Sequence, residues 1–197
     1  MKLTIVRHGE TNENVEGIFH GHFEATLSED GLEQIDLLAK RLRLQYFNKI
    51  YSSDLDRAKK TAQRLKIHHP TAPISYLDKL REKYCGEWEG KTMDELGLND
   101  PKYVNKPWPE PKDGETIDQI MLRAKEFYDH LKKTHEDDNI LVVAHGGFNT
   151  ALIANIMDIS FMDVIGFGPM HNTSVYEFEI NNGSYKTLID NCIKHLE

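Results

Sequence analysis

The run "NILVVAHGG", which begins at Asn139, sets five apolar residues side by side before a histidine and two glycines. A strand with one wet face alternates apolar and polar residues. One without alternation is covered on both faces, as a central strand is in a parallel sheet with helices above and below it. The rest of the chain then has to supply helices with one apolar stripe each, and it does. Leu32, Ile35, Leu38, Ala39 and Leu42 recur at three- and four-residue spacing behind Ser28, an N-cap residue, which predicts a helix over about residues 29–44. Leu55, Ala58, Ala62 and Leu65 line a second helix with Arg57 in its first turn. Ile117, Ile120, Met121, Ala124, Phe127, Tyr128 and Leu131 mark a third over residues 116–134, and a fourth is expected near 148–157. Strands are expected in "KLTIVR", "KIYSSD" and "PISYL", and "SVYEFEINNGSYKTLID" reads as a hairpin turning at Asn182-Gly183. Alternating strands and helices predict an α/β layered fold with a mainly parallel sheet, and 197 residues suit a single domain, 1–197.

Charge and composition remove several classes of function. The formal net charge of -8, with no block of Lys and Arg, argues against nucleic acid and membrane surfaces as partners. The apolar run at residues 3–6 is too short for a signal segment, and none approaches the ~20 residues of a membrane span, so a cytoplasmic protein is expected. Cys85 and Cys192 form no CxxC pattern and read as reduced thiols. The His20/His22 and His68/His69 pairs come without cysteines or an HExxH helix, so no metal is expected.

In parallel sheets ligands bind at the carboxyl ends of the strands. Those ends carry Arg7-His8-Gly9, then Ser52-Ser53-Asp54 with Arg57 nearby, then His145-Gly146-Gly147. Two arginines and two histidines converging on one crevice call for an anion, and the planar fork of arginine suits a tetrahedral oxyanion. Glycines beside them let backbone approach closely, so phosphate is the natural occupant. A neutral imidazole can attack phosphorus if its other ring nitrogen is held as a donor. The proton for the leaving group would come from a carboxyl group. "KLREKYCGEWEGKT" offers Glu82, Glu87 and Glu89, and spacing alone does not choose Glu82 over Glu87 or Glu10.

The blocks "VRHGETNEN", "SSDLDRAKKTA", "LREKYCGEWEG", "DGET" and "VVAHGG", in this order, resemble the histidine phosphatase superfamily, also called phosphoglycerate mutase-like, over about residues 2–174. The resemblance implies a three-layer αβα sandwich with helices on both faces of the sheet. It implies that His8 is the phosphorylated nucleophile, that Glu82 gives and takes the proton, and that Arg7, Arg57 and His145 bracket the phosphoryl group. Asn14 and the Gly146 amide would assist, and His20 and Gly21 would line the substrate entrance. No cofactor or metal is implied, and the partner is a small phosphorylated substrate. Two departures, Thr26 where the family often has proline and Cys85 where an aromatic or aliphatic residue is commoner, flank the pocket and bear on the substrate.

Within the family the chain resembles the phosphatase and fructose-2,6-bisphosphatase-like branch more than the glycolytic mutases. The segment between Glu82 and His145 is short, and after Lys91 its basic residues before the long helix are Lys102, Lys106 and Lys112. A short cover admits water, so hydrolysis of phosphomonoesters is expected. A cofactor-dependent mutase is the alternative, and a non-catalytic phosphate-binding module the third reading.

Overall fold

The structure is a computed structural model, which describes residues 1–100, 102, 108–181 and 183–197. Strands β1 (Lys2–Arg7), β2 (Lys49–Ser53), β3 (Ile74–Leu77), β4 (Asn139–Ala144), β5 (Val175–Asn181) and β6 (Ser184–Cys192) form one sheet in the order β3-β2-β4-β1-β5-β6. The β3-β2, β2-β4 and β4-β1 pairs are parallel, while β5 runs antiparallel to both β1 and β6. The sheet is thus mainly parallel, with a hairpin added at one edge.

The unbroken apolar run at residues 140–144 has the physical cause expected of it. Ile140, Val142 and Ala144 enter one core with Leu3, Ile5, Tyr176 and Phe178. That core is closed by α4 (Ile117–Thr134), α5 (Gly146–Met157) and α6 (Phe161–Gly166). Leu141 and Val143 point the other way, with Val6, Ile50 and Val175, onto α2 (Glu29–Leu42) and α3 (Asp56–Lys66). A strand in the middle of three layers has no polar face to spare.

Some local features differ from the sequence-based expectation. Leu32 is 54% exposed, because the inner face of α2 is carried by Ile35, Leu38, Ala39 and Leu42. The helix ends at Leu42 rather than 44, which leaves Leu44 in solvent. α5 starts two residues before the expected 148, at Gly146, with extended His145 as its N-cap. Two short helices were not anticipated: α1 (Asn12–Val15) and α6, each opened by a capping box, at Thr11/Asn14 and Ser160/Asp163. The hairpin is as expected, with Asn181 paired to Ser184 and Gly183 at φ 81°. Its Asn182, like Lys106 of the cover segment, lies outside the described residues. Among the described residues no helix is long and apolar enough to cross a membrane.

Candidate active site

Register brings the strand-end side chains together. Arg7 lies opposite Ala144, and the His8 N–H donates to the Ala144 carbonyl at 3.0 Å, so the two strands stay laced one residue beyond β1. That brings the rings of His8 and His145 to a centroid distance of 5.1 Å at 60°. The next turn of chain is backed by α2 at a close approach: a Cβ on Gly31 would lie 2.0 Å from the Glu10 carbonyl oxygen, so only glycine fits there. Thr61 ties in α3, accepting from the Gly9 N–H at 3.2 Å while donating to the Arg57 carbonyl at 2.8 Å.

His8 is almost wholly buried, and its Nδ1 lies 2.7 Å from the Gly9 carbonyl. A carbonyl only accepts, so Nδ1 carries the hydrogen and the lone pair is on Nε2. Arg57, 1% exposed, donates from Nη2 to the Gly21 carbonyl at 2.8 Å and from Nη1 to that of Phe23 at 3.1 Å. Arg7 donates from Nη1 to the Met170 carbonyl. These bonds aim the two guanidinium groups without exhausting them. Nε of Arg7, Nε of Arg57 and both ring nitrogens of His145 are buried with no protein partner. Buried polar groups without a partner are costly, and guanidinium N–H groups left free in this way can be met by the acceptor oxygens of an anion.

Electrostatics agree. Burial first, then Arg57, hold the pKa of His8 well below the ordinary imidazole range, and the same two causes do so for His145. Burial and Arg57 lower His20 to about 4. Burial draws Arg7 and Arg57 down as well, while Glu82 opposes the change in each. Cations crowded in a dry place repel one another, and a phosphate dianion relieves that repulsion. The depressed imidazoles also make stability depend on pH. A histidine whose folded value lies below its unfolded value of about 6.5 leaves stability whole above that pH, and stability is lost as the pH falls toward the folded value. One such group held at about 4 costs about 2 kcal/mol by pH 5. The urea midpoint is expected to drop between about pH 7.5 and pH 5; a constant midpoint would show that these rings take up protons in the folded chain.

The candidate carboxyl groups differ in their surroundings. Glu82 accepts from the N–H groups of Gly147 at 3.0 Å, Phe148 at 3.1 Å and Lys83 at 2.8 Å, which seats its carboxyl at the start of α5. A Cβ built on Gly146 would lie 3.8 Å from both Glu82 Oε2 and Arg7 Nε, so Gly146 sits close to both the carboxyl and the guanidinium group. A Cβ on Gly147 would lie 2.4 Å from Glu82 Oε1, and no larger residue leaves the carboxyl in place. Glu87 is exposed to solvent, and Glu10 accepts from the Ser28 hydroxyl at 3.1 Å. Glu89 accepts from the His22 N–H at 2.7 Å.

The remaining expected residues frame the site. Asn14 Oδ1 accepts from Asn172 Nδ2 at 3.2 Å, and that amide also donates to the His8 carbonyl at 3.1 Å. His20 is buried, its Nε2 2.9 Å from the Thr11 hydroxyl, and Gly21 lends its carbonyl to Arg57. His22 Nε2 donates to the Glu82 carbonyl at 2.9 Å, so the HxH pair is spent on protein groups. Trp88 is buried in a small cluster with Cys85 and Leu98, while Phe19 stands between Trp88 and the more exposed Trp108. Thr61 and Asn172 were not singled out from the sequence as site residues, because a lone Thr or Asn carries no spacing signal.

The model of the histidine phosphatase superfamily (branch 1) matches residues 3–192, and the chain belongs to that family. It is 31% identical over 197 residues to the adenosylcobalamin/alpha-ribazole phosphatase of Salmonella typhimurium, covering 98% of this chain and 91% of the relative. It is 38% identical over 134 residues to the fructose-2,6-bisphosphatase TIGAR of Xenopus tropicalis, which covers 66% of this chain and 49% of that one. Among solved structures, Bacillus stearothermophilus YhfR superposes with a TM-score of 0.89 at 31% identity, covering 100% of this chain and 99% of the other. The expected family, phosphatase branch and αβα architecture are therefore all found.

Proposed function

We propose that the chain is a single-domain phosphatase that hydrolyses small phosphomonoesters through a phosphohistidine on His8. One observation carries this reading: His8 presents Nε2 with its lone pair free, fixed by the Nδ1 bond to Gly9, amid the unpartnered nitrogens of Arg7, Arg57 and His145. In the first step Nε2 attacks phosphorus and the P–O bond to the leaving alcohol breaks. Arg7, Arg57 and His145 compensate charge on the equatorial oxygens, and Glu82 protonates the departing oxygen. In the second step a water gives its proton to Glu82 and its oxygen to phosphorus; the P–N bond breaks and inorganic phosphate leaves. The buried guanidinium groups supply the positive charge that other phosphoryl-transfer sites take from magnesium. The two thiols are unpaired, which suits the reducing cytoplasm.

Hydrolysis is favoured over mutase chemistry by the short segment between Glu82 and His145 and by relatives named as phosphatases. A panel of phosphorylated metabolites, including 3-phosphoglycerate with and without its bisphosphate activator, separates the readings. Release of phosphate without isomerisation is expected. Isomerisation that depends on the bisphosphate would make the enzyme a mutase, and inertness toward every ester, p-nitrophenyl phosphate included, would make it a binding module.

A further inference from the structure

Against the Glu82 backbone stands a side chain that the chemistry above does not use. Arg123 of α4 has five N–H groups and spends all five. Nη1 donates to the carbonyls of Lys79 at 2.8 Å and Arg81 at 2.7 Å. Nη2 donates to the Glu82 carbonyl at 3.3 Å and to Glu115 Oε2 at 2.7 Å, and Nε donates to Glu115 Oε1 at 2.9 Å. Glu115 is pinned in turn by two bonds to the Tyr84 backbone: its N–H reaches the Tyr84 carbonyl at 2.8 Å, and its side-chain Oε2 accepts from the Tyr84 N–H at 3.2 Å. The guanidinium carbon lies 5.3 Å above the ring of Phe148, whose own N–H holds the Glu82 carboxyl.

The segment so held needs holding. β3 ends at Leu77, and residues 79–84 run on through a three-residue 3-10 turn with no ladder partner, so the carbonyls of Lys79, Arg81 and Glu82 are met by side-chain donors, Arg123 for all three and His22 also for Glu82. A bidentate pair with a carboxylate gives the planar donor a fixed orientation that a lysine could not reproduce. We propose that Arg123, oriented by Glu115, is a positioning residue that sets the Glu82 carboxyl against the leaving oxygen, so that its removal costs protonation of the leaving group rather than binding or attack. This rests on the reading of Glu82 as the acid.

The test compares kcat/KM for two esters. Glycerol 2-phosphate expels an alkoxide that needs a proton, whereas 2,4-dinitrophenyl phosphate expels a phenolate that does not. E82Q is expected to lose about 10²–10⁴-fold on the alkyl ester and far less on the dinitrophenyl ester. R123Q is expected to lose about 10–10²-fold on the alkyl ester and less than about threefold on the other, with inhibition by inorganic phosphate unchanged. R123K should fall between wild type and R123Q, and E82Q/R123Q should be no slower on the alkyl ester than E82Q alone. E115Q keeps the shape of the pair and carries the same test if R123Q does not fold. Equal losses on both esters in R123Q or E115Q, alongside selective losses in E82Q, would reduce Arg123 to general scaffolding. Unselective losses in E82Q itself would remove the acid role from Glu82, and the positioning role with it.

Discussion

Alanine at position 8 is expected to lower turnover by about 10⁶-fold, the scale on which an enzyme loses a nucleophile it cannot replace. The fold should survive the change, because the backbone there is held by bonds the side chain does not make. The His8 N–H reaches the Ala144 carbonyl, and its own carbonyl accepts from Asn172 Nδ2 at 3.1 Å and from the Thr173 N–H at 3.3 Å. Arg7, Arg57 and His145 would remain around the same space, so H8A should still bind inorganic phosphate. An activity assay with a thermal melt in phosphate checks both halves: near-zero turnover with a phosphate-dependent rise in Tm. Residual turnover within about a hundredfold of wild type would assign the attack to water or to another group.

Arg57 carries the second large effect. It is a fully buried cation whose hydrogen bonds to the carbonyls of Gly21 and Phe23 fix its plane and leave Nε unpaired. Charge compensation of this kind is worth about 10³–10⁵ in phosphoryl transfer. Arg57→Met is expected to lose that factor in kcat/KM. Its folding stability should change less than its activity, because methionine removes a repulsion with Arg7 as well as two hydrogen bonds. Phosphate at a hundred times its Kd stabilises a binding protein by about 2.7 kcal/mol, and R57M should show little of that gain. Arg57→Lys should recover only part of the rate, since a single ammonium cannot hold both carbonyls and the substrate in one plane. A loss below about tenfold in R57M would place the phosphoryl group elsewhere.

How much of this could be read from the chain alone follows from where each feature gets its determinants. β4 was legible because burial on both faces is written into consecutive residues, and α4 because a long helix shows its stripe. Arg7, His8, Arg57 and His145 were legible because each lies at or shortly after a strand end, and strand ends of a parallel sheet face one crevice. Glu82 was not legible from spacing, and the reason is visible in its surroundings. It lies between two 3-10 turns on irregular chain, placed by donors from α5 and by Arg123, forty-one residues away in sequence. The motif resemblance supplied it. Leu32 misled because a helix stripe has edges: α2 turns Ile35 inward, where it meets Gly9, and leaves Leu32 outside. The two short helices had only their capping boxes to announce them, since neither is long enough to show periodicity.

The covalent step on His8 is the claim on which the rest depends, and rapid quench addresses it without any substitution. Mixing the enzyme with 2,4-dinitrophenyl phosphate labelled on phosphorus makes the first step fast. The expected result is an acid-labile, base-stable phosphoenzyme that forms and decays at rates able to carry turnover, with the label on the peptide containing His8. Turnover without a phosphoenzyme, or label on any other residue, would contradict it.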